Sequence, residues 1–556
     1  MEIALRWIMR LAIGVIMLLL AAYMGLWWIA RTASVSTHGS VDPGEGNIMV
    51  PTGRSRSWEE RSALTDSLVA HWANLEVGDW QEDGKVGIPR VLLGKLASGK
   101  DIEFVNAYLR ERQPRGTVGS TGPFHPGGDY DFTLAALTLI LHGFGNQPEL
   151  LYPETAEHIV NVLMTEEGGI PKVHTPRILG LPLRDTENHI LMTEGSRYLK
   201  NRWKAQHGDK APKYDNEANG LETWLLGYMA GIERAGFYEY NAIPYDGYTL
   251  TALLNLEAFA AEPVRMSARR ILDRSNWEYA LSSLSFRRFP PFRRQPQQAK
   301  GTGLDAHYHT GLMKAWMSLA GIEGLTINEG KHHALWVPLT SYRPPDAVVE
   351  WVIRKPTHYY IQMGHGRDGS PEIYSGGPGY LITAGGVSKD RARQCVARPT
   401  TLILEDGAMD LKDLVHVAGP GDKYREWNNT GVHENFAVAA GPVSIPAGWK
   451  PVAENHIWRI FKRTGQHIAV HSSDDVGIFC LLPEGEPGTL LTQLTAANAD
   501  AKALVSRFQW PQGPAITYDL HAPKDQWVIL GVDGKPVDRD HGKWPLMRGN
   551  VPGWTR

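Results

Sequence analysis

The chain changes its periodicity once, at Pro344-Pro345, and that change limits the folds open to it. Before it, from about residue 58 to 340, apolar residues recur at helical spacing. Leu221, Trp224, Leu225, Tyr228, Met229 and Ile232 form an i, i+3, i+4, i+7 stripe, and Gly236 supplies the stop. The same pattern predicts helices over 57–75, 102–112, 130–142, 153–164, 184–203 and 248–261. Pro263 then opens a further helix that runs towards Tyr279. Helices following one another through Gly- and Pro-marked loops predict helical hairpins arranged as an incomplete α/α toroid, with an irregular all-α domain as the alternative. After the prolines, short β-branched or aromatic runs take over at 358–363, 379–384, 400–404, 458–461, 467–471, 476–482 and 527–532. Strands at that spacing predict an antiparallel β-sandwich. The glycine-rich patch 364–369 lacks the strand–loop–helix setting of a phosphate loop and reads as a hairpin turn.

At 556 residues the chain is too long for one ordinary core. Residues 11–30 carry no charge and are long enough to cross a bilayer, with Arg6 and Arg10 ahead of them and Trp27 and Trp28 near their end. The exit is a poor cleavage site, which favours an uncleaved anchor in inner-membrane lipid over a removed signal. The expected organisation is an anchor at 1–33, a Ser/Gly/Pro-rich tether at 34–57, a helical catalytic domain at 58–345 and a β-sandwich at 346–556. The catalytic part would then lie in the periplasm, or be exported if the signal is cleaved. Net charge −3 argues against a general nucleic-acid binder. Two cysteines, Cys395 and Cys480, build neither a disulfide framework nor a cysteine-based zinc site.

The segment 184–203 carries the sharpest chemical signal. Asp185 or Thr186 can cap its helix, which places Asn188 and His189 in the first turn. Free N–H groups and the positive end of the helix dipole favour an anion there. An uncharged amide donor beside an imidazole is suited to removing a proton next to a carboxylate. The alternative is that Asn188 only caps the helix and His189 is half-buried. Arg197, nine residues on, either binds substrate or pairs with Glu194. Residues 264–301 hold nine Lys or Arg against two acids, Arg293 among them, and suit a polyanionic glycan or a solvated linker. His307, Tyr308 and His309 could line a cleft. Their i, i+2 histidines point to different helix faces and have no third ligand nearby, so no metal is expected.

Several stretches, in this order, resemble the polysaccharide lyases of the heparinase II/III-like and alginate or glucuronan lyase type. Glu187-Asn188-His189 with Ser196-Arg197-Tyr198-Leu199 is similar to their Glu-Asn-His helix. The stretch from Glu239 through Tyr240 and Asn241 to Tyr245, followed by 249–259, resembles their Tyr-Asn-Ser-Pro-x-Tyr stretch, with Ala242 in place of the usual Ser. Ser370-Pro371-Glu372-Ile373-Tyr374, running to Gly386, resembles a segment of their β-domain. The resemblance implies a toroid followed by a β-sandwich, and β-elimination on an anionic polysaccharide that contains uronic acid. It implies a tyrosine as acid, with Tyr245 first, then Tyr248 and Tyr240. Glu187 and Asn241 enter as substrate-binding residues through the same motifs. No cofactor is expected. Asn188 would neutralise the carboxylate and His189 take the C5 proton, a task natural to an imidazole near neutral pH. A hydrolase on the same helices would instead need two carboxyl groups, for which Glu187, Glu194, Asp215, Glu217 and Glu222 are available. A noncatalytic, membrane-tethered glycan-binding protein is the third reading.

Overall fold

The computed structural model describes residues 2–32, 48–83, 86–120, 128–176, 180–328, 330–385, 394–417 and 431–556. Among these, fourteen α-helices lie between Glu2 and Ile353, and antiparallel strands dominate thereafter. The residues group into two compact units. One comprises Met1–Thr37, Val69–Leu226 and Phe259–Val264; the other comprises His38–Leu68, Gly227–Ala258 and Arg265–Arg556.

The first unit opens with helix Glu2–Thr32, of which Leu5–Thr32 is long and apolar enough to cross a membrane. Its core pair is Asp131–Phe144 against Glu187–Gln206. Asp131–Phe144 is mostly apolar and is buried everywhere but at His142 and Gly143, so protein encloses it. Glu187–Gln206 also buries Ser196, Lys200 and Asn201. Each of these finds a partner: Thr138 Oγ1 donates to Ser196 Oγ at 3.0 Å, Lys200 Nζ to the Met164 carbonyl at 2.7 Å, and Asn201 Nδ2 to Asn216 Oδ1 at 2.8 Å. The predicted 153–164 helix is observed as Pro153–His158 continued by a π-helical turn, Ile159–Leu163.

In the second unit, seven strands form one antiparallel sheet. Their order is Val443–Ser444, Val415–Val417, Arg398–Leu404, Tyr380–Gly385, Glu372–Gly377, Tyr359–Met363 and Arg548–Asn550. Six others, with Val476–Leu482 and Gln466–Ser472 at the centre, form a second. Ile382, Leu402 and Val417 of the first sheet share one apolar core with Phe436, Ile460, Ile468 and Ile478 of the second. Burial on both faces explains why these strands read as continuous apolar runs rather than alternating ones. A four-stranded sheet spans Arg507 to Pro536.

The proposed tether at 34–57 meets the described residues only from 48 on, and there it is not a free linker. The Met49 N–H donates to the Trp554 carbonyl at 2.6 Å, and Ser55 donates from backbone and hydroxyl to Asp346 Oδ2 at 2.6 and 2.7 Å. Its Ser, Gly and Pro content suited an extended strap as well as a flexible coil. Composition does not distinguish the two.

Candidate functional site

Within the first unit, the start of Glu187–Gln206 gathers the polar residues singled out from the sequence. Thr186 occupies the cap position with extended backbone, yet its side chain makes no cap hydrogen bond. Its hydroxyl donates instead to Asn188 Oδ1 at 2.6 Å. That bond fixes which way the amide faces. Asn188 is fully buried, and its Nδ2 has no hydrogen-bond partner among the described residues. An orphaned buried donor costs about 1–3 kcal/mol, so it marks either strain or a place for an acceptor. Asp185 accepts from the Ser120 N–H at 3.0 Å and from the Thr175 hydroxyl, which holds the entry to the helix rather than capping it.

His189 is buried beside Asn188, and its Nδ1 lies 2.6 Å from Asp131 Oδ2. The ring edge of Phe132 meets the imidazole at 5.4 Å between centroids. Burial pushes the Asp131 carboxyl above its ordinary value against the pull of His189. Glu187, the first helical residue, is buried as well. Arg197 is not available to a substrate. Its guanidinium is occupied by Glu194 Oε2 at 2.8 Å, Glu166 Oε2 at 2.7 Å and the Glu167 carbonyl at 2.6 Å. Of its two predicted roles, the pair with Glu194 is the one observed.

The three tyrosines belong to the second unit and have three different surroundings. Tyr245 accepts at its hydroxyl from Gln295 Nε2 at 2.8 Å, under the guanidinium of Arg294 at 4.2 Å. Tyr248 packs edge-on against His333 at 4.3 Å. Tyr240 alone of the three lines a cavity of about 40 Å³, with Asn241, Asp246, Glu278, Arg288, His365 and Glu372 among its walls. That volume holds a few waters or one functional group of a sugar, not a whole ring.

Around this cavity the side chains are buried and tightly tied. The Tyr240 ring lies flat on His365, 3.7 Å between centroids and 9° from parallel. Its hydroxyl accepts the Ser370 N–H at 3.1 Å and faces Cys395 Sγ at 3.8 Å. Burial, with Cys395 beside it, drives the phenol well above its ordinary value and keeps it protonated. His365 Nε2 is 2.6 Å from Glu372 Oε1, while Tyr374 donates to Glu372 Oε2. Burial works to raise Glu372, but these two donors outweigh it and hold the carboxyl below its ordinary value. Asp246 behaves in the opposite way: burial pushes it well above the carboxylate range, with Arg288 opposing. Asn241 has left-handed backbone (φ 52°), accepts from Arg288 at 2.5 Å and donates to the Pro291 carbonyl at 3.1 Å.

Other expectations fare unevenly. The basic run at 264–301 is not a solvated face, because Arg287, Arg288 and Arg293 are buried. Arg287 donates to the Leu404 and Ala408 carbonyls, and Arg293 sits 3.5 Å from the Tyr238 ring centroid. His307 and His309 are buried, and burial, with Arg288 next, holds both well below the ordinary imidazole value. His309 is 2.8 Å from Asn276 Oδ1, and Tyr308 packs on His333 at 4.7 Å. Among the described residues no group of three His, Cys, Asp or Glu side chains is placed to hold a metal ion. Of the carboxylates noted for a hydrolase, Glu194 is spent on Arg197 and Glu222 accepts from Tyr198 at 2.7 Å. Asp215 caps its own turn through the Glu217 and Ala218 N–H groups.

Sequence reading passed over Asp131, His365 and Glu372. Asp131 gave no signal, being a lone acid at the start of an apolar helix. His365 was legible: a histidine inside a Gly-rich hairpin has no packing reason to be there. No protein-family model matches the chain, and no curated protein matches it.

Proposed function

We propose that the chain is a polysaccharide lyase that cleaves a uronic-acid-containing glycan by β-elimination. One observation carries the reading: a buried amide with unspent donors, Asn188, next to an imidazole held by a buried carboxyl, His189 on Asp131. The C5 proton of a uronate is hardly acidic while the adjacent carboxylate is negative, because its loss places a second charge on the same group. A donor that binds the developing enolate more strongly than the ground state lowers that barrier. Asn188 Nδ2 is such a donor, and it carries no buried charge of its own. In this reading the imidazole of His189, held at Nδ1 by Asp131, is the base. The departing O4 oxygen needs a proton. The resemblance gives that role to a tyrosine, Tyr245 first, then Tyr248 and Tyr240. C5–H and C4–O4 break, a C4–C5 double bond forms, and the leaving chain departs as an alcohol.

In this reading the helices form an incomplete α/α toroid, the two large sheets a β-sandwich, and Leu5–Thr32 an inner-membrane anchor that leaves the remainder in the periplasm. The full chain in detergent, offered alginate, glucuronan, heparan and chondroitin, should release unsaturated uronate that absorbs in the near ultraviolet. His189→Ala should remove that signal while thermal unfolding stays cooperative. Full activity in this variant rules out the assignment. A hydrolase has an observation of its own: Asp246 and Glu372 line one cavity with carboxyl affinities pushed in opposite directions, as an acid and a base require. Hydrolysis would give new reducing ends and no chromophore.

A further inference from the structure

The hairpin that connects strands Tyr359–Met363 and Glu372–Gly377 is built to hold one imidazole. Met363 and Glu372 are paired at its base, so His365 leaves one strand two residues after the register ends and Glu372 opens the next. Between them Gly366 has left-handed backbone (φ 71°), and a Cβ on Gly369 would come within 2.3 Å of His365 Cβ. The loop therefore closes over His365 only because these positions are glycine. The ring is then held on two sides, by the flat face of Tyr240 and by Glu372 in its own plane.

We propose that Glu372 is the positioning residue of His365: it keeps the proton on Nε2 and leaves Nδ1 bare on the substrate side. An ionised carboxylate can only accept, so a 2.6 Å contact from Nε2 requires the hydrogen to be on that nitrogen. Tyr374 occupies the other carboxylate oxygen, which keeps Glu372 from turning away. His365 Nδ1 is buried and has no hydrogen-bond partner among the described residues. It is an acceptor with nothing to accept, beside a protonated phenol and the Arg288 guanidinium that line the same cavity. A sugar hydroxyl that reaches in can donate to it beside the Tyr240 phenol. The tautomer stands on this geometry with Glu372 ionised; its use in turnover rests on the elimination reading above.

Two measurements on the full-length chain test this. With ¹⁵N-labelled histidine, the His365 signals are those absent from His365→Gln. They should show a protonated Nε2 and an unprotonated Nδ1 near neutral pH in wild type. Glu372→Gln, whose amide can offer N–H or C=O, should give a mixture of tautomers. On whichever of the four polymers is cleaved, Glu372→Gln should lower kcat roughly 10–100-fold with KM within about twofold, the size seen when a carboxylate that orients an imidazole is lost. Tyr374→Phe should keep the tautomer and lose less. A wild-type His365 protonated on Nδ1 overturns the proposal whether or not any polymer is cleaved. Glu372→Gln with unchanged kcat and a single unchanged tautomer overturns it as well. If wild type cleaves none of the four polymers, the elimination reading fails and the ¹⁵N pattern alone decides the tautomer.

Discussion

Each unit of the molecule buries one imidazole against one carboxyl group at 2.6 Å, His189 on Asp131 in the first and His365 on Glu372 in the second. By distance and burial the pairs are alike, yet burial wins at Asp131 and loses at Glu372. Like charge from Asp129 and Asp185 raises Asp131 while the Arg288 guanidinium lowers Glu372, and the second oxygens differ too. Asp131 Oδ1 has no hydrogen-bond partner among the described residues, whereas Glu372 Oε2 receives the Tyr374 hydroxyl. The neighbours differ as well. Beside His189 lies an amide with unused donors, and beside His365 a phenol stacked flat on the ring. One arrangement leaves a buried amide donor without a partner among the described residues, and the other leaves a buried imidazole nitrogen so.

Comparing the two asparagines should separate these roles most sharply. Asn188→Ala removes an Nδ2 donor that has no partner among the described residues. Its kcat should fall on the order of 100–1,000-fold, with a melting temperature at or above wild type. Asn241→Ala removes an amide already spent on Arg288 and Pro291, so the melting temperature should drop. A destabilised Asn188→Ala with unchanged kcat would make the first group an ordinary helix start. Breaking the carboxyl pairs comes next in size. Glu372→Ala leaves two buried donors without an acceptor and should cost about 3–5 kcal/mol in urea denaturation. Asp131→Ala should cost less, because it breaks one side-chain contact, that of His189, where Glu372→Ala breaks two. Equal losses would mean that the second oxygen does not matter.

How much of this was legible depended on whether the information was local. Helices Ile102–Arg110, Leu221–Ala235 and Tyr245–Phe259 and strands Tyr380–Gly385 and Val476–Leu482 follow from periodicity and from Gly and Pro stops, all within a few residues. Strand Arg548–Asn550 was invisible, because its only reason to be a strand is a partner, Tyr359–Met363, nearly two hundred residues earlier. The site divides in the same way. Asn188 and His189 announce themselves by sharing a helix start. Asp131 and Glu372 matter only through side chains that folding brings to them. Arg293 was misread for the converse reason: a charge run in sequence does not say that its charges are buried, and this one is. The compact units also cut across the change of texture at Pro344-Pro345, since helical residues after Leu226 group with the sheets. Periodicity reports local conformation, and compactness reports long-range contact.

The smallest effect, and the most diagnostic, is the slope of stability with pH. Asp131 is raised from its ordinary value of 3.8, so its folded state binds the proton more tightly than the unfolded chain does. The stability it contributes is complete below that value and is lost as pH rises through the folded one. Glu372 is lowered from 4.5, and its contribution is complete above that value and is lost as pH falls through the folded one. Asparagine and glutamine approximate the protonated acids. Wild type should therefore match Asp131→Asn at low pH and fall behind it as pH rises, while it should gain on Glu372→Gln over the same direction. Thermal unfolding from roughly pH 2 to 8 gives both difference curves, with the Glu372 change below its ordinary value and the Asp131 change above its own. Curves of the same sign would show that Tyr374 does not lower the carboxyl it touches. The two pairs would then be one device used twice, and the contrast in their surroundings would have no bearing on charge.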